Sequence, residues 1–404
     1  MREMKDSGVA WLGDIDSRFD IKAIGNLFTI KKDIIGREPD QVLSITQRGI
    51  KIKDTTSNEG QNAASYAHYQ IVNVGDFAMN HMDLLTGWVD ISRYEGVTSP
   101  DYRVFTLTDN TQIPEYFLRV FQMYYSNRVF YAFGQGAANL GRWRLPRENF
   151  VKIAIPCPPV ELQRKIVDEI AAKVSKVDAL IANQQAQIEK LKQYKQSLIT
   201  EVVTKGLNPD SPMKDSGNDL LGQIPAHWKA IKIKYLCSMQ AGRNLISEQI
   251  SDSGDYPVYG GNGLRGYFTE PNYIGECLLV GRQGALCGNV HHVSGEFWAT
   301  EHAVITEPKE GVSIRYLFYL LTGMNLNLYV SPTAAQPGLS VSTVQNVISC
   351  LAPVDEQEQI VKLLDDKIRM IESLLQIKEK KKESLTNYKK SVIYEYVTGK
   401  KEVV

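Results

Sequence analysis

Basic, amide and aromatic side chains recur on glycine-bounded segments in both halves of the sequence. Residues 46–53 read TQRGIKIK, residues 139–144 read NLGRWR, and residues 262–267 read NGLRGY. Arginine, lysine, asparagine and glutamine hydrogen-bond to guanine and adenine edges and to phosphates. Each segment alone is more typical of an ordinary surface loop, and the recurrence in both halves makes nucleic-acid contact an equally good interpretation of the set. The candidate DNA-binding residues are Arg48, Lys51, Lys53, Asn80, His81, Arg142 and Arg144 in the first half, and Arg243, Asn262, Arg265, Tyr267, Arg282, Gln283 and Asn289 in the second.

A glycine pattern in the second half, Gly261-x-Gly263-x-x-Gly266, formally matches a dinucleotide-binding fingerprint. The following residues, YFTEP, are typical of a turn, and no helix is predicted to open there and receive a phosphate. We therefore interpret the segment as a glycine-rich loop that brings backbone close to a partner and projects Arg265 and Tyr267.

Metal binding and catalysis have little support in the sequence. Cys287, His291, His292 and His302 could ligate a metal, but no pair has a recognised finger spacing and the first half has no equivalents. GxSxG, HExxH and Walker patterns are absent. The CPPV at residues 157–160 lacks the amide of the Asn-Pro-Pro-aromatic tetrapeptide that amino-methyltransferases use. We predict a chain without a metal or a catalytic site.

The sequence contains an internal duplication. MKDSG at residues 4–8 recurs at 213–217, and YKQSLITEVVT at 194–204 returns as YKKSVIYEYVT at 388–398. This period far exceeds the roughly 20–50 residues of a solenoid repeat, so whole domains are duplicated. We expect two similar halves in a pseudo-twofold arrangement.

Each half ends in a long stretch with apolar residues at helical spacing. The first stretch runs on from Val160 and the second from Pro353, and neither contains an internal proline or glycine. At 1.5 Å per residue, about 40 residues form a rod of roughly 60 Å. Lys205-Gly206 predicts the end of the first rod. Two matched rods most simply pack together as a coiled-coil-like pair; alternatively, each stripe docks only on its own domain.

The segments before the rods predict a mixed α/β domain in each half, so the fold class is α+β. Alternating apolar residues favour strands, and one more helical segment follows them in each half. The predicted strands are 42–45, 71–74 and 102–107 in the first half and 231–236, 277–280 and 303–306 in the second, with helices at 114–125 and 314–321.

The composition is that of an ordinary globular protein, with 404 residues, 43% hydrophobic and 23% charged. A formal net charge of zero lowers the expectation of nucleic-acid binding without removing it, because a local basic stripe can be offset by acidic surface elsewhere.

Five cysteines without a close CxxC pair favour a reducing cytoplasm over a disulfide framework. The N-terminus lacks an apolar leader and no apolar run approaches about 18 residues. We expect a cytoplasmic protein that does not enter a membrane.

Several strings give the chain a resemblance to a known family. They are LSITQRGI (43–50), GVTSPDYRVF (96–105), IAIPCPPV (153–160), YPVYGGNGLRGYF (256–268), LVGRQGALCGNV (279–290) and FWATEHAVI (297–305). In this order, and duplicated, they resemble the DNA-specificity (S) subunits of type I restriction-modification systems over essentially the whole length.

The resemblance implies a domain plan. Residues 1–152 would form a first target-recognition domain and 153–206 a conserved long helix, with 207–347 and 348–404 as the second domain and helix. The family pairs the two helices antiparallel, which inverts the recognition domains. The chain would therefore read a bipartite, asymmetric DNA sequence across a fixed gap.

The resemblance also implies partners. Besides double-stranded DNA, these are two modification subunits, which hold S-adenosylmethionine and methylate adenine, and restriction subunits, which use ATP and Mg²⁺. No cofactor would bind this chain itself. Identical residues at equivalent positions of the two rods are candidates for contact with the modification subunits, because both rods would meet the same kind of partner. These candidates are Tyr194, Glu201, Tyr388 and Glu395.

Two other functions stay open from the sequence. One is a free-standing DNA methyltransferase or nuclease with an unrecognised site. The other is a scaffold that holds two partner proteins without DNA, with which the zero net charge is compatible.

Overall fold

The computed structural model describes residues 3–56, 62–136, 143–284, 287–329 and 338–403. Helices and mainly antiparallel strands form separate segments, which is the predicted α+β class. The helices are α1 (Ile24–Leu27), α2 (Pro114–Ser126), α3 (Val129–Ala132), α4 (Arg147–Phe150), α5 (Val160–Lys205), α6 (Ile314–Gly323), α7 (Val341–Asn346) and α8 (Val354–Val397). The strands are β1 (Met4–Asp6), β2 (Asp14–Asp16), β3 (Asp20–Ala23), β4 (Phe28–Lys31), β5 (Leu43–Thr46), β6 (Gly49–Ile52), β7 (Gln70–Val72), β8 (Phe77–Met79), β9 (Val89–Ile91), β10 (Gly96–Thr98), β11 (Arg103–Leu107), β12 (Ala154–Cys157), β13 (Met213–Asp215), β14 (Gln223–Pro225), β15 (Lys229–Lys232), β16 (Cys237–Ala241), β17 (Tyr256–Gly260), β18 (Gly263–Phe268), β19 (Tyr273–Gly281), β20 (Val290–Ala299), β21 (Ala303–Pro308) and β22 (Ile348–Leu351).

The packing of the chain divides it into two units. Unit 1 contains Met1–Gln184 and Lys381–Val404, and unit 2 contains Gln185–Lys380. Each of the long helices α5 and α8 therefore contributes one segment to each unit. The four-part division expected from the sequence, in which each long helix stands apart, stays a prediction.

Unit 1 is built on an antiparallel sheet with the strand order β4-β11-β8-β9, against which α2 packs. Phe77 of β8 lies opposite Phe105 of β11, and their rings stack with centroids 5.2 Å apart. Phe28 of β4 and Phe121 of α2 close around this pair, and all four rings are buried. Aromatic rings bury large apolar areas, so this cluster fixes the sheet against the helix.

Unit 2 contains a sheet with the order β16-β21-β19-β20-β17-β18. Its first four strands follow the same order as the four strands of unit 1, and Leu278 faces Thr306 across β19 and β21. The β17–β18 hairpin extends this sheet through a parallel pairing of β17 with β20. Tyr316 and Leu320 of α6 and the buried Trp228 belong to the core beneath it.

A buried glutamine near the start of each long helix ties that helix to the preceding domain. Gln163 Oε1 accepts a hydrogen bond from Ile113 N (3.0 Å), and its Nε2 donates to Pro158 O (2.9 Å). In unit 2, Gln357 Oε1 accepts from Ser313 N (2.9 Å), and its Nε2 donates to two backbone carbonyl groups at 3.0 Å. Both glutamines thus provide a hydrogen-bond acceptor for the backbone N of the residue that precedes α2 or α6.

The long helices begin and end where the sequence predicts. Val160 follows a proline pair and Val354 follows Pro353, which suits the first turn of a helix. α5 ends at Lys205, and Gly206 has a φ of +74°, the left-handed conformation that ends many helices. In the part of the chain that the structure describes, no helix has the length and apolar character needed to cross a membrane.

Segments of α5 and α8 contact each other within each unit. In unit 1, Lys389 Nζ lies 2.7 Å from Asp178 Oδ1, and in unit 2, Lys195 Nζ lies 2.6 Å from Glu372 Oε1. Apolar side chains of both helices join the core of each unit. Exposed ion pairs contribute only about 0.2–1 kcal/mol each, so the apolar contacts provide most of the stabilisation.

One strand prediction is wrong. Residues 231–236 do not form one strand, because β15 ends at Lys232 and a 3₁₀ turn follows at Ile233–Tyr235. Ile233 and Leu236, three residues apart, are both fully buried; in a strand they would point to opposite faces, whereas the turn lets both enter one core. The predicted strands 277–280 and 303–306 lie inside β19 and β21, and the predicted helices correspond to α2 and α6.

Candidate nucleic-acid interface

Arg48 lies at the tip of the β5–β6 hairpin of unit 1. Its backbone N donates to Thr46 Oγ1 (3.1 Å), and Ile50 N donates to Asp90 Oδ2 (3.2 Å), which anchors the hairpin to β9. The Arg48 side chain is exposed. A fixed backbone that presents a free cation suits contact with a phosphate or a base edge. The other two candidates of this hairpin are the exposed Lys51 and the half-buried Lys53.

Asn80 and His81 follow β8, and neither is a freely exposed side chain. Asn80 Oδ1 accepts from Met82 N (3.2 Å), which forms a local turn. Burial, aided by the nearby guanidinium groups of Arg103 and Arg144, lowers the pKa of His81 to about 3. His81 is therefore neutral at physiological pH, and it adds no positive charge to a DNA-facing surface.

Arg103 is a buried cation that the sequence analysis missed. Its Nη2 donates to Leu145 O (2.9 Å), and its guanidinium lies 4.5 Å from the centroid of the Phe150 ring. Burial lowers the pKa of Arg103 to about 10. Among the described residues, neither Arg103 Nη1 nor His81 Nδ1 has a hydrogen-bond partner. Because Arg103 belongs to an apolar strand, no loop pattern in the sequence marks it.

Arg144 is exposed beside a short backbone pairing with Gln135. The neighbouring Trp143 is fixed, because its ring stacks on Tyr131 with centroids 5.4 Å apart and its Nε1 donates to Tyr131 O (2.7 Å). Arg142 lies outside the described residues. Arg144 can therefore reach a ligand from a rigid base.

Four candidates of unit 2 come together around the turn between β17 and β18. Asn262 in the turn, Arg265 on β18 and Gln283 line an open cavity of about 480 Å³. Asn289 is drawn to the same place, because its Nδ2 donates to Asn262 Oδ1 (3.4 Å). All four side chains are exposed. Amide and guanidinium groups converging on an open cavity can donate to and accept from base edges.

The glycine pattern 261–266 is part of a hairpin, which corrects the prediction of a glycine-rich loop. Gly263–Phe268 forms β18, and Gly263 has a φ of +93° directly after the two-residue turn. A Cβ at Gly260 would lie 2.5 Å from Arg265 Cδ, so glycine there makes room for the arginine. No helix follows the pattern, and the described geometry therefore does not match a dinucleotide site.

The remaining unit 2 candidates are held mainly by their backbones. Arg282 is half-buried, its N donates to His302 O (2.9 Å), and its O accepts from Leu339 N (2.8 Å). Arg243 is exposed, and its N donates to Ala299 O (2.9 Å). The half-buried Tyr267 pairs with residue 251 and does not join the cavity beside Arg265.

The candidates for partner contact on the long helices have different surroundings. Tyr194 is 56% exposed and Tyr388 is 51% exposed, although both belong to helices whose apolar stripes are packed. Glu201 is exposed, whereas Glu395 is half-buried and its Oε2 lies 3.6 Å from the Nζ of Lys401. Within their own units, the two tyrosines therefore leave their rings available.

The residues considered as metal ligands do not assemble. His292 Nε2 lies 2.8 Å from Glu276 Oε1, and His302 Nε2 lies 3.0 Å from Glu301 Oε1, so each pairs with a carboxylate of its own. Within the described ranges, no group of three or more histidine, cysteine, aspartate or glutamate side chains could hold a metal ion. All five cysteines are free and buried.

Comparison with known proteins identifies relatives of the chain. A family model described as "Type I restriction modification DNA specificity domain" matches residues 225–387. The type I restriction enzyme EcoprrI specificity subunit of Escherichia coli is 40% identical over 156 residues, which are 38% of this chain and 39% of that subunit. Residues 225–387 of this chain therefore match the type I DNA-specificity family.

Other members extend the similarity along the chain. The putative type I restriction enzyme MjaX specificity subunit of Methanocaldococcus jannaschii is 24% identical over 405 residues, covering 94% of this chain and 91% of that subunit. A chain from a solved structure concerned with complex assembly and conformational transition of the type I R-M system superposes with a TM-score of 0.66. The identity there is 14%, with 95% of this chain and 98% of that chain covered. The fold of that chain therefore extends across both units of this one.

Proposed function

We propose that this chain is the DNA-reading subunit of a type I restriction-modification complex and that it catalyses no reaction itself. The observation that carries the proposal is the cluster of Asn262, Arg265, Gln283 and Asn289 around one open cavity of unit 2. Unit 1 presents exposed cations of its own, Arg48 on a hairpin tip and Arg144 beside the fixed Trp143. Two such surfaces would read the two halves of a bipartite, asymmetric site, with bases identified through their major-groove edges.

The two surfaces would be carried by two copies of one domain. The strand order β4-β11-β8-β9 corresponds to β16-β21-β19-β20. Gln163 and Gln357 anchor their helices in the same way. The ion pair of Asp178 with Lys389 also has a counterpart at equivalent positions in unit 2. These correspondences support an internal repeat whose loops have diverged to read different bases.

The long helices would serve as an antiparallel spacer and as the docking surface for the modification subunits. In unit 1, Asp178 pairs with Lys389, while Glu169, earlier on α5, accepts a hydrogen bond from Tyr396, later on α8. This order supports the antiparallel direction. Two modification subunits with S-adenosylmethionine would dock there, and restriction subunits with ATP and Mg²⁺ would complete the complex.

The test is to produce the chain with its modification subunits and to map the methylated adenines in a host genome. We expect methylation at one bipartite sequence, and no methyl transfer from S-adenosylmethionine to DNA by the purified chain alone. Methyl transfer by the chain alone would contradict the proposal. An assembled complex whose DNA affinity does not depend on salt would favour a protein scaffold instead, because phosphate contacts impose that dependence.

A further inference from the structure

Unit 1 contains a cavity of about 380 Å³ between its sheet, α2 and the end of α8. Arg48 enters it from the β5–β6 hairpin, Arg119 from α2 and Lys390 from α8. Among the described residues, none of these three cations makes an ion pair. Arg119 is half-buried, and its Nη1 donates to the neutral Gln122 Oε1 (3.1 Å).

The acidic groups near this cavity have other partners. Asp90 lines the cavity, but its carboxylate accepts from Ile50 N (3.2 Å) and Ile91 N (2.9 Å). Asp178 binds Lys389 Nζ through both oxygens, at 2.7 and 2.9 Å. Burial lowers the pKa of Arg119, and the nearby carboxylates of Asp90 and Asp178 offset this shift only in part.

Unit 2 contains a cavity of about 540 Å³ at the equivalent place, between the start of β20, α6 and α5. Its cations each have a carboxylate. Lys195 pairs with Glu372 at 2.6 Å, and Arg315 pairs with Asp365. Arg369 Nη1 lies 3.9 Å from Asp366 Oδ1. The same scaffold therefore carries ion-paired cations in unit 2 and three cations without an ion pair among the described residues of unit 1.

We propose that the cavity formed by Arg48, Arg119 and Lys390 binds a backbone phosphate of the DNA beside the half-site read by unit 1. The inference rests on the proposed function and names one contact of it. Holding the Arg119 cation partly out of water without an ion pair is unfavourable, and a bound phosphate supplies a counter-charge that the exposed Arg48 and Lys390 can also reach. The planar guanidinium of Arg119 can donate two parallel hydrogen bonds to one phosphate.

A DNA backbone fits the charge distribution better than an acidic peptide does. Arg48 belongs to a hairpin that carries further basic residues at Lys51 and Lys53. A run of cations matches successive phosphates, whereas one carboxylate of a partner protein would need only the cavity itself. Because the phosphate carries no sequence information, this contact would contribute affinity and register without selecting bases.

The experiment measures the salt dependence of DNA binding by the assembled complex, using a fluorescent duplex of mixed sequence and one that contains the mapped site. Two variants are compared, Arg119→Gln and the double variant Arg48→Gln/Lys390→Gln. Arg48 and Lys390 are exposed, so the double variant should fold normally. The matched control is Arg164→Gln/Lys165→Gln, two exposed cations of α5 outside the cavity.

The slope of log K against log salt should become shallower by about 0.9 for each phosphate that a variant no longer neutralises, equally for both duplexes. The control should keep the wild-type slope.

Each other outcome overturns the inference in a distinguishable way. Unchanged slopes with full DNA binding would remove the phosphate site and leave the proposed function intact. Unchanged slopes with weaker assembly would assign the cavity to an acidic segment of a partner subunit. Reduced affinity for the specific duplex alone would make these residues base readers. A wild-type complex that does not bind DNA would refute the proposed function itself.

Discussion

His81 is the residue whose behaviour departs furthest from its sequence pattern. An exposed histidine beside an asparagine suggests a DNA contact, yet burial lowers the pKa of His81 to about 3. The unfolded chain takes up a proton near pH 6.5 and the folded chain does not, so the free energy of unfolding falls as the pH drops below about 6.5. The slope due to this group alone should steepen from about 0.7 kcal/mol per pH unit at pH 6.5 towards about 1.4 kcal/mol per pH unit near pH 5.

Replacing His81 with glutamine should make that pH dependence shallower. Urea unfolding of the wild type and of His81→Gln at several pH values measures the difference. Above about pH 7 the two proteins should show parallel profiles, because His81 is neutral in both folded and unfolded chains there. Identical slopes between pH 6.5 and pH 5 would mean that His81 is not desolvated as described.

Arg265 should behave as a base-reading residue. It lines the unit 2 cavity with Asn262 and Gln283, and among the described residues its side chain makes a single long hydrogen bond of 3.4 Å, to Ser247 Oγ. Arg265→Ala should cost about 1–3 kcal/mol of binding and relax one half-site while the other stays unchanged. Methylome sequencing reads this directly, and equal weakening at all sequences would indicate a phosphate contact instead.

The site was predictable where polar residues stand beside glycines, and not where they lie inside regular elements. The Arg48 and Arg265 segments carry turn signals, so their exposure follows from the sequence. Arg103 and Arg119 are surrounded by apolar neighbours on a strand and a helix. Their roles depend on residues distant in sequence, such as Phe150 beside Arg103 and Lys390 beside Arg119. The spacing of residues along the chain does not show such contacts.

At the scale of elements, the glutamine anchors are the sharpest structural feature. Gln163 is fully buried, and Ile113 N would lose its acceptor if the side chain were shortened. Gln163→Ala should therefore destabilise unit 1 by about 1–3 kcal/mol, the cost of an unsatisfied buried donor. Gln193→Ala, an exposed position of the same helix, is the matched control. Chemical unfolding of both variants tests this, and equal stability would show that water replaces the amide.

The helices were the most predictable elements because their pattern is long and uninterrupted. Residues 160–205 carry an apolar stripe with no proline or glycine, and α5 spans that range. The short strands were less predictable. Residues 231–236 look like an apolar strand, but tertiary burial of Ile233 and Leu236 selects a turn. The β17–β18 hairpin was read as a loop because the strand that begins at Gly263 is rich in glycine.

At the scale of the whole molecule, Tyr194 and Tyr388 test whether the helices dock partner subunits. Their rings are half-exposed, whereas a tyrosine that served only helix packing would be buried. An exposed ring with a hydroxyl suits an interface that is apolar at its centre and polar at its rim. Tyr194→Ala/Tyr388→Ala should weaken assembly with the modification subunits and abolish methylation, with unchanged circular dichroism of the isolated chain. Normal assembly would assign the tyrosines to the helix surface alone.

The proposed spacer role makes a quantitative prediction about the recognised sequence. If the antiparallel helices set the distance between the recognition domains, then lengthening both should lengthen the gap between half-sites. Seven residues preserve the phase of the apolar stripe and add roughly 10 Å. At about 3.4 Å per base pair, the gap should grow by about three base pairs while the bases of both half-sites stay the same.

The insertion is made in α5 after Gln187 and in α8 after Lys380, away from the ion pairs at Lys195 and Asp178. The control places the same seven residues after Asn208, between α5 and β13, where the backbone is not helical. Only the helical insertion should change the gap, because only a rigid element transmits length. A methylome with the original gap after the helical insertion would show that contacts of the partner subunits with DNA, and not the helices, set the spacing.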